Sequence, residues 1–88
     1  EEESSVNREL VLVKVRADAA DRQSIIAIAN VFRGSIIDVG KDSLIIELTG
    51  QQSKLDAFVE LLRGYEILEL ARTGITGLSR GAEDIRYL

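Results

Sequence analysis

Two short aliphatic runs separated by a turn sequence constrain this chain more than any other feature. The runs are residues 35–39 and 44–49, and the sequence GKDS stands between them at positions 40–43. Gly, Asp and Ser are typical turn residues, and a connection of this length joins neighbouring antiparallel strands. The pattern therefore predicts a β-hairpin in the middle of the chain.

Alternating aliphatic residues predict one further strand before the hairpin and one after it. The first covers residues 8–17 and the second covers residues 66–73. In the first strand the odd-numbered residues from Val11 to Val15 fall on one face, because successive side chains of a strand point to opposite faces. After the last strand, Gly74, Gly77 and Gly81 interrupt any regular pattern.

Helical spacing of apolar residues predicts two helices, at about residues 20–33 and 52–63. Asp18 and Asp21 offer side-chain oxygens that cap the start of the first helix, and capping is a better account of them than binding of an anion. Gly34 is expected to end this helix in a left-handed conformation. In the second helix, apolar residues recur at i, i+3, i+4 and i+7 from Leu55 to Leu62.

The order of these segments, βαββαβ, predicts an α+β ferredoxin-like fold with a four-stranded antiparallel sheet and both helices on one face. We expect a single domain at residues 7–80, with a disordered lead or linker remnant at 1–6 and a tail at 81–88. The chain begins at Glu1 and contains no Met. Either the chain has been processed or, as the preferred interpretation, it is a piece of a longer polypeptide.

Composition argues against several functions. The chain has no Cys and no His, which removes thiolate metal sites and the commonest general base, so we expect no catalytic, cofactor-binding or metal-binding residue. Its 11 basic and 15 acidic residues give a net charge of -4, which is unfavourable for binding nucleic acid. Neither a membrane-spanning run nor a signal peptide is visible. The expected location is cytoplasmic, or the plastid stroma if the source is a plant or alga.

Two helices cover only one side of a four-stranded sheet, and aliphatic residues are predicted on the other side. If Leu68 and Leu70 face the helices, the uncovered residues are Leu10, Leu12, Ile36, Ile45 and Ile67. Such a patch indicates contact with another protein chain at the sheet face or edge. The alternatives are that residues 74–88 fold over it or that it is simply exposed.

Arg72 and Thr73 are the best candidates for a specific polar contact, because they end a strand beside a glycine. The alternative is that they form a satisfied pair at the strand end. Asp38 and Glu47 lie on adjacent strands and resemble an acid pair, although solvated surface carboxylates explain them better. Residues 74–77 match a nucleic-acid-binding G-x-x-G loop only formally, and residues 50–54 only hint at a phosphate loop.

Four segments carry a resemblance to a known family. They are residues 7–15 (NRELVLVKV), 32–39 (FRGSIIDV), 43–50 (SLIIELTG) and 69–74 (ELARTG). In content, order and spacing they resemble the C-terminal half of the small, regulatory subunit of acetohydroxyacid synthase (acetolactate synthase). The family's effector-binding ACT domain has no counterpart here, and residues 51–54 and 74–77 depart from the family pattern. No effector-binding residue is therefore expected on this fragment.

The resemblance implies a non-catalytic regulatory fragment that works in branched-chain amino acid biosynthesis. Its implied partners are the catalytic subunit, which would carry thiamine diphosphate, Mg²⁺ and FAD, and its own N-terminal ACT domain, in a homo-oligomer. Its implied roles are subunit association, activation and transmission of valine feedback inhibition. The competing hypotheses are a free-standing ferredoxin-like amino acid sensor and a divergent nucleic-acid binder.

Overall fold

The computed structural model describes residues 5–82 of the chain. It contains seven elements: β1 (Ser5–Arg16), α1 (Ala19–Val31), β2 (Ser35–Val39), β3 (Ser43–Gly50), α2 (Gln52–Leu62), β4 (Ile67–Arg72) and β5 (Thr76–Ser79). The first six follow the predicted order βαββαβ, and the ferredoxin-like fold is confirmed. Strand β5 was not predicted. The predicted tail lies outside the described residues from position 83 onwards.

The sheet is antiparallel in every pair of neighbouring strands, with the order β2-β3-β1-β4, and β5 pairs with β1 as well. The pairing with β5 places Ser5 opposite Ser79 and Val6 opposite Leu78. The prediction that residues 1–6 form a disordered lead is therefore wrong for Ser5 and Val6. These two residues gain order because a partner strand at the other end of the chain satisfies their backbone.

Strand β5 continues β4 along β1 after a short irregular connection. Arg72 lies opposite Val11, the Thr73 amide donates to the Leu10 carbonyl over 3.0 Å, and Thr76 lies opposite Arg8. On the other side of β1, the last pairing of β3 joins Gly50 to Glu9. Beyond that point the described part of the chain continues as two paired strands, residues 5–8 and Thr76–Ser79, which we call the arm. The arm contributes to an elongated molecule that measures 51 × 23 × 17 Å.

The core lies between the sheet and the two helices. Phe58 of α2 is fully buried and meets Phe32 edge to face, with 5.4 Å between the ring centroids. Burial of this apolar surface is the main force that holds helices on the sheet. The other buried apolar residues from the sheet are Val11, Val13, Val15, Leu44, Ile46 and Leu48, and those from the helices include Ile25, Ala29, Leu55, Val59 and Leu62.

Both ends of α1 depend on specific backbone contacts. Asp18 caps the start as predicted, since its side chain accepts a hydrogen bond of 3.0 Å from the Asp21 amide. At the other end Arg33, and not Gly34, has the left-handed conformation, with φ of 61°. The Gly34 amide donates to the Ala29 carbonyl and the Arg33 amide to Asn30, which is a Schellman motif. Gly34 serves close packing instead, because a Cβ atom there would lie 3.2 Å from the Glu47 carbonyl oxygen.

Two β-bulges change which side chains face the helices. In β2 the extra residue is Ile37, and Ile36 lies opposite the buried Ile46. In β4 the register shifts after the pair Glu69 and Lys14, so that Ile67 lies opposite the buried Val15. Ile36 and Ile67 both pack against the core. Their predicted place on the uncovered side is therefore wrong, since a shift of one residue moves a side chain to the other face of a sheet.

Candidate interaction site

The side of the sheet that carries neither helix is the candidate site, and we call it the uncovered face. It presents Leu10, Leu12 and Ile45 as predicted, all three partly exposed. The strand registers add further residues on the same side, because directly paired residues share a face. These are Thr49 opposite Leu10, Glu47 and Ala71 opposite Leu12, and Ile45 and Glu69 opposite Lys14.

A shallow depression of about 510 Å³ lies on the uncovered face. Its lining is mainly aliphatic and includes Leu12, Ile45 and Ala71. Lys14 and Glu69 also line it and form an ion pair of 2.7 Å, and hydrogen bonding to Lys14 lowers the pKa of Glu69. The depression therefore combines an apolar floor with a charged rim, a composition suited to protein contacts.

Arg72 belongs to the other side of the sheet. Its guanidinium group binds both carboxylate oxygens of Glu9, at 2.8 and 2.9 Å, and one oxygen of Asp56 in α2 at 2.8 Å. Glu9 is 6% exposed. The hydrogen bonds from Arg72 hold the pKa of Glu9 below its ordinary value, and the hydrogen bonds to both carboxylates raise the pKa of Arg72. This bidentate arrangement ties β4 to β1 and α2, so its first role is structural.

Thr73 also forms hydrogen bonds with the backbone of β1 at the end of β4. Its hydroxyl oxygen accepts a hydrogen bond of 3.1 Å from the Leu10 amide, and its own amide donates to the Leu10 carbonyl. The hydroxyl group donates in turn to the Gly74 carbonyl oxygen at 3.0 Å. Thr73 therefore extends the pairing of β1 beyond the end of β4, and it lies between the depression and the arm.

The remaining motifs have structural explanations. Asp38 lies opposite Ile45 and Glu47 lies opposite Ser35, so the two carboxylates are not a directly facing pair. Gly77 of the 74–77 motif sits inside β5, and a Cβ atom there would collide with the Asn7 side chain. Gly50 ends β3, and the Lys54 ammonium group donates to the Thr49 carbonyl over 3.2 Å.

Two contributions were missed at the sequence level. One guanidinium nitrogen of Arg22 donates to the carbonyls of Ala17, Gly40 and Lys41 at 2.7 to 3.1 Å, which fastens α1 to the β2–β3 turn. Leu78 of the arm is 80% exposed. No local sequence pattern indicates the contacts of Arg22. Leu78, by contrast, lies in a glycine-rich segment near the end of the chain, and its position there could have indicated an exposed leucine.

Other kinds of site find no support in the described part of the chain. Residues 5–82 contain no group of three His, Cys, Asp or Glu side chains that could hold a metal ion. Neither helix in this range, with 13 and 11 residues, is long enough to cross a membrane. The chain is thus a ferredoxin-like module. Its distinguishing surface is the uncovered face, whose aliphatic residues suit association with another chain.

Comparisons with known proteins agree with the resemblance found in the sequence. The model of a family described as the small subunit of acetolactate synthase matches residues 8–81. A probable acetolactate synthase small subunit from Methanothermobacter thermautotrophicus is 52% identical over 80 residues, which are 90% of this chain and 48% of that protein. The acetolactate synthase small subunit of Mycolicibacterium smegmatis is 48% identical over 85 residues, 97% of this chain and 50% of that protein.

Solved structures lead to the same family. The crystal structure of the acetolactate synthase small subunit from Thermotoga maritima superposes with a TM-score of 0.84 at 46% identity, covering 92% of this chain and 50% of that one. An acylphosphatase from Bacillus subtilis, with a TM-score of 0.50, 18% identity and coverage of 89% and 90%, shares the fold alone. The chain belongs to the family of acetolactate synthase small subunits. It spans about half the length of the curated relatives that it matches.

Proposed function

We propose that this chain is the non-catalytic C-terminal domain of an acetolactate synthase small subunit and that its uncovered face is an association surface within the enzyme assembly. The observation that carries the proposal is the aliphatic depression formed by Leu12, Ile45 and Ala71 on a sheet face without helices. In antiparallel sheets with one solvent-exposed face, apolar and polar residues normally alternate along each strand. Aliphatic residues on the solvent-exposed face are instead typical of a surface that contacts a partner.

The roles that we assign to this association are activation of the catalytic subunit and transmission of valine feedback inhibition. The catalytic subunit is the expected carrier of thiamine diphosphate, Mg²⁺ and FAD, and an ACT domain in the other half of the small subunit is the expected site of valine. A regulatory subunit changes the activity of its partner only if it binds two states of that partner with different affinity. The present domain would supply part of that differential binding through packing, without a reacting side chain.

The experiment compares two leucines with different surroundings. The chain is mixed with the catalytic subunit from the same source, and co-purification and the rate of acetolactate formation are measured. Leu12→Glu places a charge on the floor of the depression, and we expect at least about a tenfold loss of binding, since burying an unpaired charge is costly. Leu61→Glu is the matched control, because Leu61 is 53% exposed on α2 and lies outside the depression.

Circular dichroism must show that both variants keep the fold of the parent chain. Unchanged stimulation by a folded Leu12→Glu variant would contradict the proposal. Equal loss in both variants would also contradict it, since the effect would then not belong to the uncovered face.

A further inference from the structure

The arm carries an exposed leucine beyond the rest of the sheet. The last pairing of β3 with β1 is at Glu9, and Val6 lies three residues further out, roughly 10 Å away at about 3.3 Å per residue. Val6 pairs with Leu78 of β5. Leu78 is 80% exposed, the largest exposed fraction among the large apolar residues of the described chain. The arm therefore ends in an apolar projection.

The strands of the arm have little support of their own. They form four residue pairs, and a two-stranded ribbon is at best marginally stable in water without packing from a further element. Gly77 lies opposite Asn7, and a Cβ atom at this position would collide with the Asn7 side chain. The ribbon thus requires a glycine, which loses more conformational entropy on folding than other residues do. These properties are typical of a segment that another element stabilises.

The arm also lies where any preceding segment would join the domain. Ser5 is the first residue of β1 and pairs with Ser79. Four residues precede Ser5, and at no more than about 3.6 Å per residue they span at most about 14 Å. A segment that precedes Glu1 therefore starts close to Leu78. The curated relatives are about twice as long, since the chain covers 48% of one and 50% of another.

The size of the projection favours a partner on the same polypeptide. Separate proteins that associate stably bury about 800 Å² on each side, which is more than one leucine and a short ribbon can supply. A domain on a short tether has an effective concentration of the order of millimolar, so a much smaller contact is enough to hold it. A tethered domain thus fits the arm better than an unattached protein does.

We propose that the arm is the docking site for the preceding half of the small subunit, with Leu78 seated in an apolar surface of that half. This inference rests on the proposed function, which makes the chain the C-terminal domain, and it names the surface that joins the two halves. Val6 and Leu12 belong to one uninterrupted strand, β1. A movement of the docked half would therefore act directly on the strand that supplies Leu12 to the depression.

The test uses the thiol that Leu78→Cys introduces, because the 88-residue chain contains no Cys. The variant is prepared in this chain and in the full-length small subunit from the same source, with any cysteines of the other half replaced by serine. The rate of reaction with a maleimide is then measured in both proteins. We expect the full-length variant to react at least about tenfold more slowly, because a covered thiol reacts only when the contact opens.

Leu61→Cys is the matched control. Leu61 is 53% exposed and lies roughly 14 Å along α2 from the first residue of this helix. That first residue follows Gly50, which pairs with Glu9 at the base of the arm. We therefore expect the rates for Leu61→Cys in the two proteins to agree within about twofold, because only a contact at the arm changes access to the thiol.

Equal rates for Leu78→Cys in the two proteins would overturn the proposal. Slow reaction that is lost when the full-length subunit is diluted would also overturn it, as would slowing of the 88-residue variant by an excess of parent chain. Both results would assign the contact to a separate molecule.

The proposed function is tested separately, through Leu12→Glu and the catalytic subunit. Slow reaction of Leu78→Cys in the small subunit alone, with stimulation unaffected by Leu12→Glu, supports docking at the arm and refutes the association surface. Equal reaction rates with stimulation that depends on Leu12 refute docking at the arm and support the proposed function.

Discussion

The two faces of the sheet differ in what stabilises them, although both are rich in aliphatic residues. Ile45 and Ile46 are neighbours in β3 and point to opposite faces. Ile46 is fully buried beneath the helices, whereas Ile45 is partly exposed in the depression. The fold therefore removes an isoleucine from water completely on one face, whereas on the other face the same residue type stays partly in contact with water.

The same contrast holds for ion pairs. Arg72 and Glu9 on the helix-covered face are mostly buried and bidentate. Lys14 and Glu69 on the uncovered face form a single short contact in which the Glu69 side chain is 73% exposed. Solvent screens the exposed pair much more than the buried one. The helix-covered face thus holds the fold together, and the uncovered face remains available for association.

Truncation of the two isoleucines should give the largest difference between the faces. Ile46→Ala should lower the free energy of unfolding by about 3 kcal/mol, because it leaves a cavity under the helices. Ile45→Ala should lower it by about 1 kcal/mol or less, because its side chain is already partly hydrated. The measurement is urea unfolding in the low micromolar range of chain concentration. Equal losses of unfolding free energy would contradict this contrast, because they would show that Ile45 is buried as deeply as Ile46 in the free chain.

Removal of one carboxylate from each face should give the next largest difference. The pKa of Glu9 is depressed below 4.5 in the folded chain, so its stabilising contribution is fully present above pH 4.5 and is lost as the pH falls through the folded value. Glu9→Gln should lower the melting temperature at pH 7 by several degrees and flatten its decrease below pH 4.5. Within residues 5–82, the substitution leaves Arg72 with Asp56 as its one remaining charged partner.

Glu69→Gln is the matched control on the uncovered face. The pKa of Glu69 is also lowered, with the same sign of pH dependence, but its exposure reduces the expected change in melting temperature to little or nothing. Addition of 1 M salt should abolish any small effect of Glu69→Gln and leave that of Glu9→Gln largely intact. A larger effect for Glu69→Gln than for Glu9→Gln would reverse our assignment of the structural ion pair.

Local patterns predicted most of the fold. The turn at 40–43, the valines of β1 and the apolar spacing of α2 each specify an element by themselves, and their order specifies the arrangement. The arm could not be predicted in the same way. Residues 76–79 show no apolar alternation, and they become a strand only because residues 5–8, at the other end of the chain, pair with them.

The sequence predicted only part of the candidate site, because the rest depends on how the strands pair. Leu10, Leu12 and Ile45 follow from simple alternation and lie where it puts them, whereas bulges turned Ile36 and Ile67 to the core. A bulge depends on the pairing of two strands and leaves no clear mark in either one. The three carbonyl contacts of Arg22 likewise depend on tertiary structure.

Substitutions just after the C-terminal end of α1 should give the smallest effects. They test how the backbone after this helix packs on the helix-covered face. Arg33 has a left-handed conformation, which is unfavourable for a residue with a Cβ atom, so Arg33→Gly should stabilise the chain by about 0.5 kcal/mol despite the greater freedom of glycine in the unfolded state. Gly34→Ala should destabilise it instead, because the new Cβ atom would lie 3.2 Å from both Ile46 Cγ2 and the Glu47 carbonyl oxygen. Thermal unfolding of the two variants measures both effects. A neutral Gly34→Ala would contradict the close contact between this loop and β3, and with it the tight packing of the helix-covered face. A destabilising Arg33→Gly would contradict the left-handed conformation of Arg33.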